Sequence, residues 1–193
     1  NVIISNNTAY EKGGGILVEG GFNSALENII LSENIAEFGG GIFLKPYSKI
    51  KINRILINEN SAMQSGGGIF DHQSLSYISN TIIYENSAVI GDGLFLSNID
   101  EYDEENTWNS IRRMKNNIVW NNGINPIAAD FEIDNYQFIL YSDIQYGIQG
   151  EGNIDLEPLF VDPINFNYSL LEDSPCIDSG TMDTVPFCMS EGE

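Results

Sequence analysis

Five asparagines, Asn7, Asn34, Asn60, Asn86 and Asn122, recur at spacings of 27, 26, 26 and 36 residues, and each sits in the same surroundings. Ahead of them run Val2-Ile3-Ile4, Ile29-Ile30-Leu31, Leu56-Ile57 after Ile55, Thr81-Ile82-Ile83 and Asn117-Ile118-Val119, each a short β-branched stretch bounded by turn residues. Five or six residues after the first four asparagines comes a glycine cluster: Gly13 to Gly15, Gly39 to Gly41, Gly66 to Gly68, and Gly91-Asp92-Gly93. Ala128-Ala129-Asp130 is the expected replacement in the fifth unit. A second apolar run then follows: Ile16-Leu17-Val18, Ile42-Phe43-Leu44, Ile69-Phe70-Asp71, Leu94-Phe95-Leu96 and, on this alignment, Phe131-Glu132-Ile133. A repeat of this size, with strands of about four residues and no helical period, buries its apolar side only when the next copy stacks on it. The pattern therefore predicts a solenoid in which asparagine passes amide hydrogen bonds along the stack, one coil every ~4.8 Å. Asparagine also tolerates a left-handed backbone, and glycine suits the other bend, where chains approach closely.

Alternation along a strand sends every second side chain inward. In the post-glycine strand the first position is always apolar and the third is Asp71 in one unit, so these two are assigned to the core. The middle position, Leu17, Phe43, Phe70, Phe95 and Glu132, then points outward and stacks three phenylalanines. Such a ladder is either a platform for a sugar or protein, with Trp108 as a further contact residue, or a set of rings covered by the variable segments of their own coils, or, with the phase inverted, part of the core. Both Ile3, Ile30, Leu56, Ile82 and Ile118 and their neighbours Ile4, Leu31, Ile57, Ile83 and Val119 are apolar, so one of these stripes needs a cover too.

These motifs resemble those of right-handed parallel β-helix proteins, the pectate-lyase-like superfold, whose bacterial surface and secreted members pair an aliphatic-x-x-Asn turn with Gly-Gly-Gly-Ile. Polymorphic outer membrane proteins carry a similar pairing, with a phenylalanine where this chain has Ile4, Leu31, Ile57, Ile83 or Val119. Ser142-Asp143-Ile144-Gln145, Gly152-Asn153-Ile154-Asp155, Pro158 to Pro163 and Ser174 to Gly180 look like the closing unit of secreted bacterial β-helix proteins. The resemblance implies an all-β, right-handed, single-stranded parallel β-helix of about five to seven coils. Coils occupy residues 1–135, and 136–193 form the last coil or coils and an irregular closing segment of the same domain. It also implies a secreted or cell-surface address.

Eight basic against 28 acidic residues give a net charge of −20, which repels a phosphate backbone and argues against nucleic-acid binding. Apolar runs such as Phe138 to Tyr141 fall far below the roughly 20 residues that span a bilayer as a helix. Cys176 and Cys188 either staple the C-terminal region as a disulfide or stay reduced. The chain opens inside a repeat with no capping unit, so it is expected to be a piece of a longer protein.

Enzymes on the resembled fold cleave acidic polysaccharides by β-elimination, with calcium or a basic clamp, or hydrolyse glycosidic bonds with paired aspartates. Two basic clusters, Lys49, Lys51 and Arg54, and Arg112, Arg113 and Lys115, could form a clamp or could pair with surface carboxylates. Asp71 and His72 are catalytic candidates, joined with Glu59 or Glu85 as a small polar site, or else a turn at the end of a strand exposed to water. The long fourth unit holds Asp100, Glu101, Asp103, Glu104 and Glu105, a possible calcium (Ca2+) loop or simply a solvated acidic one. The favoured function is a non-catalytic secreted or cell-surface module that offers a rigid repetitive surface to polysaccharides, protein partners or neighbouring domains. A polysaccharide lyase or glycoside hydrolase is the alternative.

Overall fold

The computed structural model describes residues 2–20, 24–97, 113–130 and 138–182. It is all-β, and its parallel strands stack into a β-solenoid of about five turns. The strands before the asparagines, Val2–Ser5, Ile29–Ser32, Leu56–Asn58, Ile82–Tyr84, Ile118–Trp120 and Asp143–Ile144, form the first sheet in that order. The post-glycine strands Ile16–Val18, Ile42–Leu44, Ile69–Asp71, Leu94–Leu96 and Ile127–Ala129 form the second. A third sheet is built by the variable segments, Ser24–Glu27, Lys49–Asn53, Leu75–Ser79, Arg113–Lys115 and Ile139–Leu140. Ile35–Phe38 pairs with Ser61–Ser65 at the corner between the first two sheets.

Register places equivalent residues one above another, as in Ile30 beside Leu56 and Phe70 beside Phe95. The central core is therefore made of rows: Leu31, Ile57, Ile83, Val119 and Ile144 from the first sheet; Ile42, Ile69, Leu94, Leu44 and Leu96 from the second; Ile50, Ile52, Ile78, Met114 and Ile139 from the third. Fully burying one such side chain stabilises by about 1.5–3 kcal/mol.

The five asparagines line up as expected. The backbone N–H and Nδ2 of each donate to the Oδ1 of the next: Asn7 to Asn34 at 3.1 and 3.0 Å, Asn34 to Asn60 at 3.0 and 2.9 Å, Asn60 to Asn86 at 3.0 Å for both, and Asn86 to Asn122 at 2.9 Å for both. The second Nδ2 hydrogen closes on a carbonyl of the preceding coil, as from Asn60 to Leu31 and from Asn86 to Ile57, both at 2.9 Å.

The expected backbone role is displaced by one residue. The left-handed positions are Asn6, Glu33, Glu59, Glu85 and Asn121, with φ between 52° and 58°, each immediately before its anchor. The anchor itself is the hydrogen-bonding element. At the glycine bend, Gly39 has φ +65°, while Gly40 is needed for space, since a Cβ there would lie 2.5 Å from the carbonyl oxygens of both Gly67 and Ser61.

Asp92 occupies the equivalent of Gly40 because the fifth corner is shorter: five residues separate Asn122 from Ile127, against eight from Asn86 to Leu94. Its carboxylate accepts from the N–H groups of Ala88 at 2.9 Å and Asn125 at 3.1 Å. The same shortening corrects the fifth unit. Ile127-Ala128-Ala129 pairs with Leu94-Phe95-Leu96, so Ala128 and Ala129 are strand residues, and Phe131-Glu132-Ile133 lies outside the described residues.

The buried amide column makes a graded prediction. Asn60→Ala leaves the buried N–H and Nδ2 of Asn34 without an acceptor and should cost about 2–6 kcal/mol, at 1–3 kcal/mol for each orphaned group. Asn7→Ala, at the exposed end of the column, should cost under about 1 kcal/mol because water replaces what is lost. Urea denaturation of the two variants beside the parent measures the difference.

Candidate functional site

Members of the two basic clusters, far apart in sequence, are brought onto one face. Inward Ile50, Ile52, Ile78 and Met114 leave Lys51, Tyr77 and Arg113 on the outside of the third sheet. Lys51 pairs in register with Tyr77, and Tyr77 with Arg113, so the three form a column on consecutive coils, with Ala25 at its end and Lys49 alongside next to Leu75. Lys51 also makes an ion pair with Glu27 at 3.4 Å, and Lys45 and Lys12 pair with Glu19 and Glu11. Exposed pairs of this kind contribute only about 0–1 kcal/mol, so they hold the lysines weakly. Lys115 is buried, with its ammonium 5.8 Å from the Tyr141 ring centre, and Arg54 occupies a left-handed bend. Arg112 lies outside the described residues.

The phenylalanine ladder forms, on the side assigned to it, but its rings are covered. Phe43 is 2% exposed, and Phe70 and Phe95 are each 9% exposed, in a small cluster separate from the central core with Phe38 and Ala128 against it. Phe43 stacks on Phe70 at 5.0 Å, Phe70 meets Phe95 at 4.9 Å, and Phe38 packs edge-on to Phe70 at 5.6 Å. Of the alternatives for this ladder, covered rings are what the structure shows: the rings pack on one another. Trp108 and the acidic run Asp100, Glu101, Asp103, Glu104 and Glu105 lie outside the described residues.

Asp71 and His72 are neighbours whose side chains serve different places. Asp71 takes the inward place that Leu44 and Leu96 hold on either side, and it is fully buried. Its carboxylate accepts from the Ser74 N–H at 2.9 Å and the Ser76 hydroxyl at 2.5 Å, which fixes the corner into the third sheet. His72 lies edge-on to the rings of Phe43 and Phe70, 6.0 Å from each. Glu59 and Glu85 stand at the bend after the first sheet, so the four residues are not gathered into one site.

The chain's own C-terminal part packs on the outer side of the first sheet at Tyr84, while Ile3, at the first end of the outer stripe, stays 66% exposed. Strands Phe160–Asp162 and Asn167–Leu170, antiparallel about the turn Pro163–Asn165, bring Phe160 and Tyr168 against Tyr84 at 5.6 and 5.4 Å. Further along, the Cys176 thiol donates to Asp143 Oδ2 at 3.0 Å, and the Thr181 N–H and carbonyl bond to the Asn116 amide at 3.0 and 2.9 Å. Cys176 is a free thiol, and Cys188 lies outside the described residues.

A second polar column was not foreseen. The Thr81 N–H donates to Asn117 Oδ1 at 3.1 Å, the Asn117 N–H to the Ser142 hydroxyl at 3.1 Å, and the Ser142 N–H to Asn153 Oδ1 at 3.0 Å. Its residue types change from coil to coil, so no recurrent letter marks it; the signal that could have found it is the fixed place after each left-handed Asn80 or Asn116. Among the described residues, no group of three or more His, Cys, Asp or Glu side chains is arranged to hold a metal ion, and no helix is long and apolar enough to cross a membrane.

Residues 1–19 match the Chlamydia polymorphic membrane protein (Chlamydia_PMP) repeat. No curated protein and no solved structure matches the chain significantly. The matched stretch runs from the first strand through the Asn7 anchor and the glycine bend to the end of Ile16–Val18, most of one coil. The repeat match and the stacked coils together fit a parallel β-helix repeat protein of bacterial surface type, and the repeat points to association with an outer membrane or cell surface.

The Cys176–Asp143 contact gives a pH signature. Burial, then the hydrogen bond and charge of Asp143, push the Cys176 thiol from 9.0 up to about 12, and burial foremost raises the Asp143 carboxyl above its ordinary range. A folded chain that holds its proton longer than the unfolded one loses stability as pH rises from about 9 towards 12. In a Cys188→Ser variant, Cys176 should react with a disulfide reagent at neutral pH far more slowly than in urea. The urea midpoint should fall across that alkaline window, and the fall should be smaller in Cys176→Ala.

Proposed function

We propose that this chain is a non-catalytic, surface-associated β-helix module that binds an anionic glycan or an acidic protein surface along the outer face of its third sheet, as part of a larger secreted or surface-anchored protein. The observation that carries this reading is the column Lys51–Tyr77–Arg113, in which two basic groups two coils apart flank an aromatic ring on a chain of net charge −20. Two coil steps space the charges by ~9.6 Å along a straight rigid edge, which suits a polymer with regularly repeated acidic groups. The tyrosine offers a ring face and a hydroxyl at little entropic cost. This face is a better contact surface than the phenylalanine ladder, whose rings are enclosed.

The same column supports a second reading, an enzyme that cleaves uronate polymers, because β-elimination uses a basic clamp on the uronate carboxylate and a basic group as proton acceptor, and Lys51 and Arg113 stand on one face two coils apart. Both readings are tested with one panel of pectins, alginates and glycosaminoglycans. Retention of the chain on an acidic member, weakened at least tenfold in Lys51→Glu/Arg113→Glu and by added salt, is the expected result. Binding that the double variant leaves intact removes this face from the proposal. An unsaturated, ultraviolet-absorbing product converts the reading into the enzymatic one.

A further inference from the structure

On a chain with eight basic and 28 acidic residues, the third sheet reverses the balance. Its described strands carry four of those eight, Lys49, Lys51, Arg113 and Lys115, against one carboxylate, Glu27. A polyanion repelled by most of the surface is drawn to this face. The cations are also ordered along the stack, because all four stand on the second and fourth coils. The column through Lys51 takes Ala25, Lys51, Tyr77, Arg113 and Phe138 on five successive coils, since Met114, next to Arg113, pairs with Ile139, next to Phe138. Its first, third and fifth places are therefore uncharged. Lys49 keeps the same rule, lying beside Lys51 on the second coil and in register with Leu75 of the third.

Neighbouring coils are ~4.8 Å apart, so the charged rows are separated by ~9.6 Å. One sugar of an extended glycan advances by about one coil, so a glycan along the stack meets a charged row at every second sugar and Tyr77 at the sugar between. The half-buried tyrosine offers a flat apolar ring to that sugar at little entropic cost. The face of the ring is electron-rich, so a carboxylate set over it loses water and gains no partner. Lys51 is held by its exposed ion pair with Glu27 at 3.4 Å, a weak contact that an incoming carboxylate displaces.

Resting on the reading that this face binds an acidic glycan, we propose that its ligand is an alternating polymer, with one carboxylated and one uncharged sugar per repeat, lying parallel to the stack. Lys51 and Arg113 take the carboxylates of successive repeats, the arginine through two parallel N–H donors, and Tyr77 stacks on the uncharged sugar between them. A homopolyuronate is the poorer ligand although it carries more charge. Its additional carboxylate either lies against the tyrosine ring or turns away from both cations into the field of a chain of net charge −20. Tyr77 is thus the residue that sets specificity, and Glu27 is a competitor for Lys51.

Hyaluronan oligosaccharides, which alternate a uronate with an uncharged amino sugar, are titrated calorimetrically into the full chain beside polymannuronate oligosaccharides of equal length, both long enough to cover the column. The parent should bind the alternating oligomer at least about tenfold more tightly. Tyr77→Lys, which puts a cation on the third coil, should strengthen the homopolymer and narrow the ratio to below about threefold, while Tyr77→Phe, which keeps the ring, should retain it. Glu27→Gln should tighten both by about two- to threefold, with the circular dichroism of every variant like the parent's. A homopolymer bound as tightly as the alternating oligomer, with both weakened by Lys51→Glu/Arg113→Glu, overturns this inference and leaves the binding face standing. A ratio that Tyr77→Lys does not change overturns it as well. Binding of neither oligomer, or binding indifferent to the double variant, removes the face itself and the inference with it.

Discussion

Everything in this molecule depends on the hydrogen bond that passes from one coil to the same place in the next. A coil of 26 or 27 residues has no interior of its own, so its apolar side chains are sheltered only when the neighbour lies in register. The asparagine column enforces that register. Its amide donates upward along the column and sideways to a carbonyl at the bend, so a slip of one residue would strand several buried polar groups at once. Leu31, Ile57, Ile83 and Val119, all fully buried, follow from that alignment rather than cause it: any aliphatic would fill the space, whereas few side chains other than asparagine both donate and accept in line.

The second bend reaches the same end with less uniform means. Ile29 and Ile55 fill it in the early coils, while Thr81, Asn117, Ser142 and Asn153 hydrogen-bond through it in the later ones. The change coincides with the coils over which the C-terminal segment folds back, where Asn116 holds Thr181 and Asp143 holds Cys176. Apolar filling suffices where the stack only has to be thick. Directional bonds appear where a further segment must be seated on it.

Much of the fold could be read from the sequence, because a solenoid writes its rows as periodic letters. The asparagine column, the glycine bend and the inward phase of the post-glycine strand all follow from positions repeated four or five times. The fifth unit departs from the expectation because the rule extends badly to a unit that breaks the period. The fifth corner lost three residues, so the strand moved from Phe131 back to Ile127, and no local propensity distinguishes the two. Asp71 was singled out for breaking the apolar pattern; its chemistry is spent on Ser74 and Ser76, a corner device that needs the third sheet to be visible. The closing of the rings of Phe43, Phe70 and Phe95 against one another and Phe38 was open in the sequence, since alternation fixes the side a ring faces but not what lies over it.

The same logic governs where function is to be sought on such a scaffold. A motif that is contiguous in sequence, such as Asp71-His72, is split by alternation onto opposite sides of its strand, so adjacency in the chain argues against a shared site. Residues one repeat apart are instead brought to ~4.8 Å. Lys51, Tyr77 and Arg113 are separated by 26 and 36 residues yet stand in one column on the outer face of the third sheet. A binding surface here is a column across coils, and its ligand must either repeat with the coil spacing or sit between two coils. The outer third sheet, with Lys51, Tyr77 and Arg113 in one column, suits the first kind of ligand, which is why a regular polymer is assigned to it.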